Sequence, residues 1–460
     1  MSFLRYPKYK VSGVEWLGEV PAHWEVVKVR WLCEIKKRIV GELGFDVLSI
    51  TQKGIRVKDT ESNDGQLSMD YTKYQLVEVG DFAMNHMDLL TGYVDLSSIV
   101  GVTSPDYRVF SIRDPSVCHP KYVLYLLQNG YLNKVFFAFG QGSSQLGRWR
   151  LPTDQFNDFW FPLPSPEEQC AIATFLDNET AKIDALVAEQ EKLIALLQEK
   201  RQAVISHAVT KGLDPSVTMK DSGVEWLGEV SVHWEVCALR RVIAAIEQGW
   251  SPECYAREAE EQEWGVLKAG CLNGGNFRPS ENKALPPELP PEEAYEVRVG
   301  DVLMSRASGS PELVGSTALV KATRERLMLS DKIFRLKLKE FVNAAFFVAA
   351  LNSRPLRIQI ENALSGGNGM ANNLPQSSLL TFAMAVPPLA EQATITVFLE
   401  QETAKLDTLT AEARSAITLL QERRTALISA AVTGQIDVRG LAGSANAPDS
   451  VAASAYPASA

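Results

Sequence analysis

Apolar residues recur in sevens along two long stretches of this chain, while shorter runs in the segments before each stretch follow the two-residue alternation of strands. The first series is Leu176, Ile183, Leu197 and Val204, broken at Gln190, with Leu186 and Leu193 on an adjoining row. The second is Leu399, Leu406, Ala413, Leu420 and Leu427, with Leu409 beside it. Neither stretch contains proline or glycine for about 40 residues, and each stops near a glycine, Gly212 or Gly434. Such a pattern predicts two long helices with a coiled-coil seam. At 1.5 Å per residue each spans about 60–65 Å, more than one compact domain needs, so each seam asks for a helical partner. The other copy is the nearest candidate, and it would pair antiparallel. Ser165-Pro166-Glu167-Glu168 is a capping-box start to the first helix. The second has Pro388 where Ser165 would align.

Ahead of the first helix, DVLSITQKGIRVKD, YQLVEVGDFAMN and DYRVFSIRD read as strands, and KYVLYLLQNGYLNKVFF as an amphipathic helix. EWGVLKAG, YEVRVGDVLMS, DKIFRLKL and NAAFFVAALNSRPLRIQI are their counterparts ahead of the second. The correspondence is a duplication. GVEWLGEVPAHWEV at Gly13–Val26 returns as GVEWLGEVSVHWEV at Gly223–Val236, and 22 of the 36 residues of Phe175–Thr210 are identical in Phe398–Thr433. A period above 200 residues exceeds any solenoid unit and marks a doubled half-molecule. The predicted fold is therefore α+β: two similar domains held apart by two long antiparallel helices, with pseudo-two-fold symmetry. The boundaries fall at 1–163, 164–212, 213–387 and 388–436, with 437–460 an Ala/Ser/Pro-rich, disordered tail. Trp16, Trp24, Trp226 and Trp234 of the repeated motif are expected to staple each half onto its domain or helix.

Composition adds exclusions. With 460 residues, 46% hydrophobic and 22% charged, the chain has an ordinary globular make-up. It has no run of 18 apolar residues and no signal-like start, so a cytoplasmic location is expected. Six scattered cysteines form no metal-ligand spacing. No phosphate-loop or dinucleotide motif is present. With five histidines a metal or triad site is thin, and His23 and His233 beside their tryptophans point to packing. The formal charge of −10 argues against a free-standing nucleic-acid binder.

GVEWLGEVPAHWEV, PLPSPEEQCAIATFLDNETAKIDAL, its second copy VPPLAEQATITVFLEQETAKLDTL, and VGDVLMSRASGSPELVG at Val299–Gly315 together resemble the specificity subunits of type I restriction-modification systems. The resemblance covers all but the tail. It implies a non-catalytic subunit with two target-recognition domains, each reading one half of a split double-stranded DNA site, and helices that set the gap between the halves. It further implies two adenine-N6 methyltransferase subunits using S-adenosylmethionine, and restriction subunits using ATP and Mg. On this resemblance the candidate DNA-binding residues are Lys53, Arg56, Lys58, Asn85, His86, Tyr93, Arg148 and Arg150 in the first domain. In the second they are Lys268, Asn273, Arg306, Ser308, Asn368 and Asn372. Arg and Lys suit guanine O6/N7 and Asn suits adenine N6/N7. Glu168/Gln169 and Glu391/Gln392 at the helix starts suit capping or partner docking alike. The residues also allow another reading, a two-armed coiled-coil adaptor for protein assembly. It is supported by the near-neutral stretch Arg30–Leu163, with 14 basic against 15 acidic residues. An autonomous modifying enzyme is disfavoured, because no NPPY-type methyltransferase motif occurs.

Overall fold

The computed structural model describes residues 3–59, 70–142, 149–364 and 372–441. The chain divides into two compact units, and neither matches a simple half of the sequence. Unit one is Met1–Gln190 together with Ser415–Ala460, and unit two is Glu191–Arg414. Both long helices form, over Pro166–Lys211 and Leu389–Val432, and each contributes one end to each unit.

The units share one sheet plan. Unit one has a four-stranded antiparallel sheet in the order Cys33–Lys36, Arg108–Ile112, Phe82–Met84, Val94–Leu96. Unit two repeats the order with Ile243–Gln248, Ile333–Leu338, Val302–Ser305 and Thr317–Leu319. The third strand of each is buried along its length, which explains its unbroken apolar run. It follows a Val-Gly-Asp turn whose glycine, Gly80 or Gly300, sits at positive φ. The aspartate closes the turn: Asp81 accepts from the Glu78 N–H at 2.8 Å, and Asp301 from Arg298 at 2.9 Å. The segments read as strands form them, with a hairpin, Leu48–Thr51 and Gly54–Val57, inside the first. The amphipathic segment of unit one is helical over Pro120–Leu132 and then tightens into a 3-10 turn at Val135–Phe139. Its counterpart breaks into two helices, Ala344–Leu351 and Arg354–Ala363, because Pro355 has no N–H to continue the first.

Within unit one, the opening turns of the first long helix (Ile172, Phe175, Leu176) share a core with the closing turns of the second (Leu427, Ile428, Ala431, Val432). The Asp184–Arg424 ion pair lies later in the first helix and earlier in the second, so the two run antiparallel there. Unit two has the reciprocal arrangement, with Ile395 and Leu399 beside Ile205, Ala208 and Val209, and Asp407 paired with Arg201. The two ion pairs occupy equivalent repeat positions, each at 3.4 Å.

Only part of the predicted seam is buried. Leu176, Ile183, Leu197, Leu399, Leu406 and Leu427 are buried, and Val204 and Leu420 are half-buried. Leu186, Leu193 and Leu409 are 45%, 41% and 47% exposed, which corrects their assignment to the helix-pair core. The second row lies one residue on, at Thr180, Val187 and Ile194 in the first helix and Thr403, Thr410 and Ile417 in the second. Those threonines tolerate burial because each hydroxyl donates to the carbonyl four residues back, at 2.6–2.8 Å.

The assigned tail begins too early. Val438 is fully buried in the core of unit one, and the Asp437 N–H donates to Leu4 O at 2.8 Å, so residues 437–441 belong to that unit. The rest of the tail, 442–460, lies outside the described residues.

Candidate nucleic-acid interface

Each repeated motif receives the ends of both long helices. Trp24 and Trp234 are fully buried. His23 Nε2 lies 2.9 Å from Glu168 Oε2, and His233 Nε2 lies 2.8 Å from Glu391 Oε2, tying each motif to a helix start. The helix ends dock on or just ahead of the same motifs. The Tyr9 hydroxyl donates to Gly434 O at 3.0 Å, and Ser231 Oγ donates to Lys211 O at 2.7 Å. Both stop glycines have positive φ, and a Cβ on Gly434 would lie 2.3 Å from Pro21. Trp16 stacks on Phe159 at 5.2 Å, whereas Trp226 is 38% exposed. The motif occurs twice because each unit needs one such socket.

The glutamine beside each helix-start glutamate is a stitch. Buried Gln169 accepts from His119 N–H at 2.8 Å and donates to Val117 O and Pro164 O at 3.0 and 2.9 Å. Buried Gln392 makes the same set with Asn343 N–H, Phe341 O and Pro387 O, at 2.7, 3.0 and 2.8 Å. Ser165 caps the first helix through the Glu168 N–H at 3.3 Å, while the Glu168 carboxylate turns to His23 rather than completing the box.

A short two-stranded ribbon rises beside the central sheet in each unit. In unit one Gln141–Gly142 pairs with Trp149–Arg150, and in unit two Ala307–Ser308 pairs with Asn372–Asn373. The ribbons are rooted alike, by Leu151 N–H donating to His86 O at 2.9 Å and Leu374 N–H donating to Arg306 O at 2.8 Å. His86 and Arg306 thus occupy equivalent places, at the ends of VGDFAMNH and VGDVLMSR.

The candidate residues fall into three groups. Lys53 and Arg56 are exposed on the Leu48–Val57 hairpin, and Lys58 is half-buried just beyond it. Arg150 is exposed on its ribbon. Ser308 and Asn372 face each other across the second ribbon, where Asn372 Nδ2 donates to Gly309 O at 3.3 Å. Others are inward or engaged. Tyr93 is buried against Tyr131, and Asn85 Oδ1 accepts from the Met87 N–H at 3.2 Å. Lys268 pairs with Glu281 at 3.6 Å. Half-buried Asn273 lies at a kink, and its carbonyl accepts from Arg278 at 3.4 Å. His86 is buried, and burial together with the charges of Arg108 and Arg150 pushes its pKa down to about 3. Arg148 and Asn368 lie outside the described residues.

Arg108 escaped the sequence reading. It is buried over the Phe156 ring at 4.5 Å, and its Nη2 donates to Leu151 O at 3.1 Å. Burial lowers its pKa to about 10. Within DYRVFSIRD nothing distinguishes it from an ordinary strand arginine. Gln169 and Gln392, by contrast, were visible as a Glu-Gln pair repeated at both helix starts. Among the described residues no three His, Cys, Asp or Glu side chains converge as a metal site would require. Nor is any helix there long and apolar enough to cross a membrane.

Doubled α+β units built on two shared long helices define a class of internally repeated, two-domain scaffold. The chain is similar in sequence to specificity subunits of type I restriction enzymes. It is 30% identical over 227 residues to the EcoEI specificity subunit of Escherichia coli, a match covering 49% of this chain and 38% of that subunit. It is 22% identical over 327 residues to the StySPI specificity subunit of Salmonella potsdam, covering 71% of this chain and 67% of that one. The first of these matches thus spans little more than a third of the relative's length. A solved chain described under complex assembly and conformational transition of the type I R-M system superposes with a TM-score of 0.63. It shares 14% identity and covers 90% of this chain and 98% of its own length, a likeness of fold. No family model matches the chain.

Proposed function

We propose that this chain is the DNA-recognising specificity subunit of a type I restriction-modification assembly. Each unit presents its ribbon and neighbouring loops to one half of a split double-stranded site. The chain contributes recognition rather than catalysis. Two methyltransferase subunits, which carry S-adenosylmethionine, dock on it, and restriction subunits driven by ATP and Mg join the complex. One observation carries this reading: two units of one topology place different polar side chains at one equivalent position, His86 and Arg306. A repeated scaffold with divergent side chains at matched places suits the reading of two different half-sites. The chain's formal charge of −10 fits a subunit that encloses DNA only together with basic partners.

The test is modified-base sequencing of a host that co-expresses the chain with its neighbouring methyltransferase, against a host lacking only this chain. N6-methyladenine at a split motif with a fixed gap is the expected result. Co-purification of the two proteins without methylation would keep the assembly and remove the recognition; failure even to co-purify would favour the adaptor reading instead.

A further inference from the structure

Nine arginines among the described residues are buried or half-buried, and eight of them have an acceptor for the guanidinium. Arg38, Arg201, Arg335 and Arg424 pair with carboxylates. Arg108, Arg324, Arg326 and Arg357 donate to backbone carbonyls. Arg306 is the ninth. Its guanidinium lies 5.6 Å over the Phe334 ring, and among the described residues its buried Nε has no partner and its side chain makes no hydrogen bond or ion pair. A half-buried guanidinium with no acceptor is costly unless something outside the chain supplies one. Its ring support holds the fork in place beforehand, which favours a planar, two-acceptor partner.

Both a phosphate and a guanine edge offer such a pair of acceptors. The contrast between the units separates them. The phosphate backbone is the same at every site, so a phosphate-binding position should carry the same charge in both copies of a duplicated reader. The position equivalent to Arg306 is His86, buried and beside no carboxylate partner, which is uncharged at neutral pH. Sequence-reading positions are the ones that should differ. Building on the function proposed above, we infer that Arg306 is a specificity-determining residue of unit two, its guanidinium fork taking O6 and N7 of one guanine in that unit's half-site.

The test is selection from a library of randomised DNA duplexes at low salt by the full chain assembled with its neighbouring methyltransferase, comparing wild type with Arg306→Lys and Arg306→Gln. Circular dichroism and thermal melting would establish that each variant folds. Wild type should enrich a split motif. Arg306→Lys keeps the charge but loses the fork, so preference for guanine at one position of one half-site should fall roughly 5- to 150-fold, the other half-site unchanged. Arg306→Gln should do the same. Two results would overturn the inference while leaving the proposed function standing. One is an unaltered motif in both variants. The other is retention by Arg306→Lys with uniform weakening in Arg306→Gln and a salt slope shallower by about 0.9, the signature of a phosphate contact. Failure of wild type to enrich any motif would remove both.

Discussion

At the scale of single residues, the polar groups that matter most to this fold are buried. Gln169 satisfies three backbone groups, the His119 N–H and the Val117 and Pro164 carbonyls, that no other side chain reaches among the described residues. Gln169→Ala would leave them unpaired inside unit one, each at about 1–3 kcal/mol, so a loss of at least ~3 kcal/mol is expected in chemical denaturation. Gln392→Ala should cost unit two a similar amount, because its bonds are the same. His86 makes a second prediction, in pH. Its pKa is about 3 in the folded chain against 6.5 for a free side chain, so between those values the unfolded state binds the extra proton. Stability therefore rises with pH across that window, is fully present above about 6.5 and is lost as the pH falls toward 3. The step from pH 7 to 4.5 amounts to about 2–3 kcal/mol. In His86→Asn the denaturation midpoint should fall less over that step than in wild type. An identical fall would mean that His86 is not the group responsible.

Among the elements, the long helices show what the pattern of apolar residues reveals and what it hides. Their existence, their limits and their stop glycines follow from the seven-residue recurrence and the missing prolines. So do the strands around VGDFAMNH and VGDVLMSR, whose runs match buried central strands. The second row of the seam was not legible, because leucine is more apolar than threonine and a reading by hydropathy selects Leu409 over Thr410. Helix geometry selects the other. Positions alternating three and four apart face one partner, and the threonine hydroxyl finds its acceptor within its own helix. Leu406→Ala should therefore cost about 2–5 kcal/mol, the range for a buried leucine, while Leu409→Ala, three residues away, should stay within ~0.5 kcal/mol. Equal effects would restore Leu409 to the seam. The candidate interface was legible in kind but not in detail. Loop position and residue type pointed to both ribbons, yet gave no means of separating buried His86 and Tyr93 from exposed Arg150, or unpartnered Arg306 from paired Lys268. Those distinctions depend on neighbours brought in from distant strands.

For the whole molecule, the consequence of duplication is an unequal partition of the chain. A reading by sequence places a boundary before each long helix, because that is where the repeat resumes. The compact units instead divide inside the helices, and only unit two is a single stretch, Glu191–Arg414. That stretch holds every buried residue of its largest core, from Ile205 to Leu399. Unit one must recover Leu427, Ile428, Ala431, Val432 and Val438 from the far end of the chain. Trp24 at the centre of its socket also needs the Gly434 turn beside it. The two units should therefore respond differently to truncation. A fragment of residues 191–414 should melt cooperatively on its own. A chain ending at Arg414 should keep that transition and lose the one belonging to unit one, since burial of these five apolar side chains is worth about as much as the whole margin of a typical domain. Adding a separate peptide of residues 415–441 should restore the lost transition in proportion to its concentration. Two intact transitions in the truncated chain would show that unit one closes its core without the distal helix. The duplication would then have produced two self-sufficient domains rather than two that exchange their ends.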